Sequence, residues 1–325
     1  MARPPSPFPY KRARYTDDQV RQMFAKLQAY DVKTRMRVLK VPVKIRSVKV
    51  PATRLQFLGK YLVLVNKASD YEDFNQLSDM FQEECRMQCT VVNSPSPAQF
   101  YQDNLELVKA TAIEKYGDDS AHSLREAIYS LTKECTSHRP SNMMAMIRMF
   151  KARTVLDFSA GWGDRLIGAL AAGVEYYCGV DPNPCLHPGY SDIHKFFGGA
   201  EVLLIEAPIE TAVLPDRQFD LVYTSPPYFD MEIYGVNNAQ STKHKREKEW
   251  FDQFLCVALS KVWGYLREGG TMAININQKK GEHYVNWMLE YGDTLPQARF
   301  LGMIAYSDEK MNNPQPIWVW KKGPG

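Results

Sequence analysis

The chain has 325 residues, 45% hydrophobic and 24% charged, which is the composition of a globular protein of one large domain or two modest ones. No apolar run reaches the ~20 residues of a membrane-spanning helix, which excludes an integral membrane protein of that kind. The net charge of +3 hides a segregation: residues 1–60 carry 15 Lys+Arg against 3 Asp+Glu, a balance of +12, and residues 61–325 balance at −9. A basic block on an acidic protein suits a polyanionic partner, nucleic acid before a membrane surface, or else a solvated arm with no partner. The segment Met1–Tyr15 lacks the apolar core of a secretory signal, and the six cysteines are scattered. Reduced thiols and an intracellular location, cytoplasmic or with the nucleoid or nucleus, are therefore expected.

In chain order, residues 1–15 hold four prolines without a period and read as a basic extended arm. Asp17 or Asp18 can cap a helix running to about Tyr30, with Val20, Met23, Phe24 and Leu27 on one face. Val41, Val43 and Ile45 alternate with Pro42, Lys44 and Arg46, the pattern of a basic-faced strand. Tyr61–Val65 predicts a buried strand and residues 71–88 a helix. Asn93-Ser-Pro-Ser-Pro97 marks a break, and two helices split near Gly117 are expected before Lys133. Residues 16–134 thus form an α+β region, a candidate for nucleic-acid recognition.

After Arg139-Pro140 the texture becomes strand–helix alternation. Thr154–Phe158, Tyr176–Val180, Val202–Ile205, Leu221–Tyr223 and Thr271–Ile276 read as buried strands. Glu249–Leu266 is the longest helix, and Phe300–Tyr306 and Ile317–Trp320 are two late strands joined by an Asn-Asn-Pro turn. This order predicts a three-layer α/β fold, a doubly wound and mostly parallel sheet with an antiparallel C-terminal hairpin.

Two strand ends carry chemistry. In Val155-Leu-Asp-Phe-Ser-Ala-Gly-Trp-Gly-Asp164, Gly161 and Gly163 let backbone approach a ligand, and Asp157 offers a carboxylate to a cationic or amino group. Asp181, about 20 residues on at the next strand end, stands where an acidic residue holds ribose hydroxyls. Together these select a nucleoside-containing cofactor and leave nicotinamide dinucleotide and S-adenosylmethionine both open. The fourth strand ends in Thr224-Ser-Pro-Pro-Tyr-Phe229, where two prolines remove backbone donors and fix the carbonyls of Ser225 and Pro226 as acceptors. With the Ser225 hydroxyl and the Tyr228 ring, this corner suits a planar group bearing an N–H₂.

On these residues the sequence resembles the class I S-adenosylmethionine-dependent methyltransferases. More narrowly, it resembles the exocyclic amino-methyltransferases of nucleic acids (N4-cytosine and N6-adenine), in particular DNA methylases of phages and large viruses. Asp157 to Gly163 match that family's cofactor turn, and Ser225-Pro226-Pro227-Tyr228 its catalytic tetrad, over roughly residues 138–322. The resemblance implies a seven-stranded Rossmann-like methyltransferase domain over residues 135–325. It implies cofactor contacts from Asp157, Ser159, Gly161, Trp162 and Gly163, ribose binding by Asp181, and adenine flanked by Pro208 and Ile209. Arg139–Asn142 falls where the family has a segment touching the cofactor carboxylate. Ser159 stands where the family has Phe, a departure that motivates an alternative: an inactive methyltransferase-fold protein that binds nucleic acid. RNA methylation and methylation of a protein side-chain amide are further alternatives, although that last group begins its tetrad with Asn.

The short spacing between turn and tetrad leaves no room for a recognition domain between them. Base reading then falls to residues 1–134 and to the loop 230–249, with Asn237, Asn238 and Lys243-His-Lys-Arg246. The Lys11-Arg12-x-Arg14 arm and the Lys44/Arg46 strand face are expected to grip phosphates. Deleting residues 1–60 is expected to weaken substrate binding far more than cofactor binding. No metal is expected. Cys85 and Cys89 lack a second ligand pair at zinc spacing, and Cys185, His187 and His194 read as loop residues. Met143, Met144, Met146 and Met149 read as core.

Overall fold

The computed structural model describes residues 7–45, 48–91, 93–235 and 243–325. The first half contains α1 (Asp17–Gln28), α2 (Val32–Arg35), β1 (Met36–Leu39), β2 (Tyr61–Asn66), α3 (Asp79–Met87) and a two-residue β3 (Thr90–Val91). It ends in three helices, α4 (Pro97–Asp103), α5 (Leu105–Tyr116) and α6 (Ala121–Leu131). Then come α7 (Pro140–Phe150), β4 (Thr154–Asp157), α8 (Asp164–Ala172), β5 (Tyr176–Val180), α9 (Leu186–Phe197), β6 (Glu201–Ile205), β7 (Phe219–Thr224) and β8 (Glu232–Ile233). A helix begins as α10 (Glu247–Trp250) and passes through a π turn into α11 (Cys256–Gly264). After it come β9 (Leu266–Asn275), α12 (Tyr284–Thr294), β10 (Ala298–Asp308) and β11 (Gln315–Lys322).

One nine-stranded sheet runs in the order β1-β2-β10-β11-β9-β7-β4-β5-β6. β6, β5, β4, β7 and β9 pair in parallel, and β11 inserts antiparallel between β9 and β10. The expected doubly wound sheet with its C-terminal hairpin is therefore present. The parallel strands read as continuous apolar runs because helices cover both of their faces; every residue of β5 is buried. On one face α1, α7, α8 and α9 pack over Val155, Tyr177 and Leu221; on the other, α10–α12 cover Leu156, Val222 and Met272. The methionines Met143, Met144 and Met146 are core, as expected. α7 approaches α8 closely because Gly168 has no side chain: a Cβ there would lie 2.4 Å from the Pro140 carbonyl.

The N-terminal region is woven into this sheet, since β2 pairs in parallel with β10 and β1 closes the edge. Several expectations for this region are corrected. The arm is not extended at Lys11–Arg14, which forms a 3₁₀ turn with Lys11 buried. The cap of α1 is Thr16 in a capping box with Gln19, not an aspartate. Val43 and Ile45 are buried, but no described residue of the segment pairs with a strand. Arg46 lies outside the described residues. Three helices, not two, precede Lys133, since Asn104 ends α4 and begins α5.

The reduced-thiol expectation is also corrected, because Cys85 and Cys185 form a disulfide. α3 lies against α9, where Gln82 Nε2 donates to the Leu186 carbonyl (2.8 Å) and fills the space left by Gly189. That packing brings the two Cα atoms to 6.1 Å across 100 residues, a proximity that no local spacing encodes. Among the described residues no helix is long and apolar enough to cross a membrane.

Candidate active site

A cavity of about 1300 Å³ opens at the carboxyl ends of β4, β5, β7 and β9. Ser159, Gly161, Trp162, Asp181, Pro208, Ile209 and all four tetrad residues line it together. Asp157 and Gly163 do not. Asp157 is fully buried beneath the turn, where Oδ2 accepts from Arg165 Nε (2.7 Å) and Tyr177 Oη (2.8 Å). Its Oδ1 accepts from Thr224 Oγ1 (2.7 Å) and the Ser159 N–H (3.3 Å). The cation expected opposite Asp157 is thus supplied by the protein itself, and Arg165, not Asp157, faces the cavity.

The two glycines also divide their work. At Gly161 (φ +58°) a Cβ would meet the Arg165 guanidinium and the Ser159 carbonyl at 3.7 Å, an ordinary contact, so the left-handed backbone and not space is what calls for glycine there. Gly163 (φ +80°) would drive a Cβ to 2.7 Å from Ile193 Cδ1, so it serves the packing of α9.

Asp181 follows β5 directly and lines the cavity. Its Oδ2 accepts from the Gly161 N–H (2.8 Å) and its Oδ1 from the Asn183 N–H (3.0 Å), leaving a lone pair on each oxygen. Burial pushes its carboxyl up to about 6, against the pull of those two N–H groups. Asp164, the first residue of α8, also lines the cavity and accepts from Ser78 Oγ (2.6 Å) and Ser137 Oγ (2.8 Å). Burial raises it to about 7, with the two hydroxyls opposing.

The tetrad corner is rigid. Tyr228 Oη donates to the Asn275 carbonyl (3.4 Å), and Tyr306 Oη donates to Asn275 Oδ1 (3.2 Å). The next residue, Phe229, adopts a left-handed φ of +46° and packs against Trp250 (ring centroids 6.1 Å apart). Residues 134–139 form a strap along the cavity wall. In it the Thr136 carbonyl accepts from Trp162 Nε1 (3.0 Å), while Thr136 N–H and Oγ1 donate to Glu232 Oε1 (2.8 and 2.9 Å). His138 Nε2 lies 2.9 Å from Tyr223 Oη. The post-tetrad loop is held by pairing of β8 with β3 and by Tyr234 edge-on to Trp162. Lys243 lies 3.5 Å from Glu210, Lys245 and Arg246 are exposed, and Asn237 and Asn238 lie outside the described residues.

Reading the sequence missed Arg165, Asp164 and the strap residues Thr136, Ser137 and His138. Asp164-Arg165 did leave a trace: two charges at the start of an otherwise apolar helix. The strap left none, since it has no periodicity. Cys185, His187 and His194 are not gathered: His187 Nε2 lies 2.9 Å from the Asp181 carbonyl, His194 Nε2 3.0 Å from that of Ala200, and Cys185 is in the disulfide.

The basic segment is partly spent inside the fold. Lys11 pairs with Asp79 (2.5 Å), Lys26 with Asp73 (2.6 Å), Arg35 bidentately with Asp70 (2.8 Å), and Arg54 with Asp293. Arg12 pairs with Asp17. Arg37, Lys40, Lys44, Lys49 and Lys60 are exposed without an ion-pair partner among the described residues.

No family model matches the chain, and no curated protein matches it. Among solved structures it is similar to TrmN from Thermus thermophilus, with 15% identity and a TM-score of 0.42 over 57% of this chain and 50% of that one. This chain thus spans half the length of that protein. A rRNA methylase from Streptococcus thermophilus is 17% identical, with a TM-score of 0.39 over 58% of this chain and 100% of its own. A methyltransferase from Pyrococcus furiosus is 16% identical, with a TM-score of 0.39 over 69% of this chain and 98% of its own.

Proposed function

We propose that this protein is a S-adenosylmethionine-dependent methyltransferase acting on an exocyclic amino group of a nucleic-acid base, N4 of cytosine or N6 of adenine, with DNA favoured over RNA. The observation that carries the reading is the sharing of one cavity by the Gly161–Asp181 turn and the Ser225–Tyr228 corner. Its volume of about 1300 Å³ exceeds the roughly 300–1,000 Å³ typical of a single small-molecule site, and suits two ligands side by side.

The residues present fit the cofactor. Gly161 brings the backbone of the turn to the cavity wall, and Asp181 keeps a free lone pair on each oxygen for a ribose diol. Pro208 and Ile209 offer an apolar slot for the adenine, with Lys261 fixing the Ile209 carbonyl (2.8 Å). Arg165 is the cation nearest the turn for a carboxylate. When bound, the cofactor supplies an electrophilic methyl group on a sulfonium. The chain's own residues do the rest by positioning and electrostatics: the Ser225 and Pro226 carbonyls accept the two amine protons, and the Tyr228 ring, anchored at its hydroxyl, stacks on the base. A base in a duplex must be flipped out to reach this corner, whereas one in a single strand need not be.

The test is tritiated methyl transfer to DNA and RNA, with digestion to nucleosides and identification of the product by mass. The expected product is a cytosine or adenine methylated on its amine, with activity lost in Tyr228→Ala and cofactor binding by calorimetry retained. Absence of nucleic-acid labelling under all conditions overturns the reading. Cofactor binding without transfer would instead favour an inactive, nucleic-acid-binding protein.

A further inference from the structure

The strap residue His138 lines the cavity at its tetrad side. Its ring meets Tyr223 and Tyr306 edge to face, with centroids 5.5 and 6.3 Å apart. Tyr306 and Tyr228 in turn both bond Asn275, and Tyr223 lies near the end of β7, just before the Ser225–Tyr228 corner begins. His138 therefore contacts two of the tyrosines around the amine corner, Tyr223 and Tyr306, within a strap whose neighbouring residues Thr136 and Ser137 bond Trp162 and Asp164.

The hydrogen bonds around the ring fix which of its nitrogens carries the proton. Tyr223 is fully buried, and among the described residues its hydroxyl has one partner, His138 Nε2 at 2.9 Å. A phenol there that only accepted would leave its own O–H unsatisfied in the interior, at the full desolvation penalty. The phenol therefore donates to Nε2, and the imidazole proton sits on Nδ1. Burial, with Arg165 and Arg139 nearby, holds the ring well below its ordinary value, so it stays neutral at physiological pH. Nδ1 has no protein partner among the described residues and is not sealed from the cavity. The result is a neutral imidazole presenting an N–H donor to the same cavity that Ser225 and Pro226 line.

We propose that His138 reads the target base, its Nδ1–H donating to the ring nitrogen adjacent to the exocyclic amine. This rests on the methyltransferase reading given above and deepens it. Cytosine and adenine each place an amino donor beside an unprotonated ring nitrogen, and the acceptor–donor pair of Ser225/Pro226 and His138 complements that edge. Uracil, thymine and the O6/N1 edge of guanine carry a carbonyl and a ring N–H in the corresponding places. They would set acceptor against acceptor and donor against donor. A single tyrosine–histidine hydrogen bond would thus make the site refuse uracil, thymine and the O6/N1 edge of guanine.

The experiment uses the full-length protein in single-turnover methyl transfer. One oligonucleotide contains the ordinary target base; a second carries its deaza analogue, 1-deazaadenine or 3-deazacytosine, in which a C–H replaces the ring nitrogen. The wild type is expected to be slower on the analogue by roughly tenfold, the scale of one hydrogen bond. His138→Gln, whose amide reaches the Nε2 position, should lose about the same factor on the ordinary base and nothing further on the analogue. His138→Asn, whose amide reaches the Nδ1 position, should recover most of the rate. Comparing variants on one base at a time cancels the altered basicity of the analogue's amine. Calorimetric affinity for S-adenosylmethionine should be the same in all three proteins.

The inference is overturned if His138→Gln loses the same factor on both bases, or if Asn restores nothing. It is equally overturned if cofactor affinity falls, which would place the ring on the cofactor carboxylate. A wild type that labels neither ordinary base overturns the methyltransferase reading itself, a result visible before any variant is made.

Discussion

Asp164 shows how much a single residue can tie together. Its buried carboxyl accepts from Ser78 and Ser137, so it joins the N-terminal region, the strap and α8 at the wall of the cavity. Burial lifts its pKa from the ordinary 3.8 to about 7, and that of Asp181 to about 6. The folded state therefore holds protons that the unfolded chain releases near pH 4. The stability this gives is complete below the unfolded value and is lost as pH rises through the folded one. Asp164→Asn mimics the protonated acid, so the variant should match the wild type near pH 4 and become relatively more stable toward pH 8. The two curves of urea unfolding free energy should diverge with a slope approaching one proton, and parallel profiles would refute the argument. Asp157 makes the complementary point. Its place at a strand end was legible, but its occupation by Arg165 eight residues later was not, because that pair closes only when α8 folds back over β4.

At the scale of elements, the α3–α9 contact is the least predictable feature with the clearest consequence. The glycine Gly189, the amide of Gln82 and the Cys85–Cys185 disulfide all serve it. α9 follows the Asp181 loop directly, so this contact braces the Asp181 side of the cavity. Closing a loop of about 100 residues removes unfolded-state entropy worth at most about 4–5 kcal/mol. Reduction, or Cys85→Ser, should therefore lower the unfolding free energy by up to that amount in denaturant titrations. Equal stability with and without reductant would show that the helix packing suffices. Most elements of the second half were readable because each parallel strand is a short apolar run bounded by turns. The first half was harder. Val43 and Ile45 alternate like a strand and are buried like one, yet no described residue there joins the sheet: alternation reports which side chains are buried, whereas pairing depends on where the chain is carried by its neighbours.

For the whole molecule, the opposed charges of the two segments acquire a second meaning. Lys11, Lys26, Arg35 and Arg54 tie residues 1–60 to Asp79, Asp73, Asp70 and Asp293, while Val20, Met23 and Leu27 enter the main core. Deleting residues 1–60 would remove a wall of the fold, so cofactor and substrate binding would fall together, contrary to the expectation from charge alone. Cations still free for a polyanion are found on β1 and the segment after it, at Arg37, Lys40, Lys44 and Lys49. Replacing these four by Ala should weaken nucleic-acid binding alike for all sequences. The salt dependence should become shallower by about 0.9 log units for each phosphate no longer neutralised, with the melting temperature unchanged. An unchanged slope would assign phosphate binding to another surface.

By itself the sequence determined the alternating strands and helices, the doubly wound sheet, and the two strand ends where chemistry gathers. These are local matters: a run of apolar residues, a glycine turn and a pair of prolines each constrain the backbone within a few residues. Only the tertiary structure decided that Asp157 is internally neutralised, that Arg165 and His138 face the cavity, and that the basic segment is a partner of the acidic body. Those outcomes depend on pairs of residues up to about 240 positions apart, as in Arg54–Asp293, and such pairs meet only once helices and strands have packed.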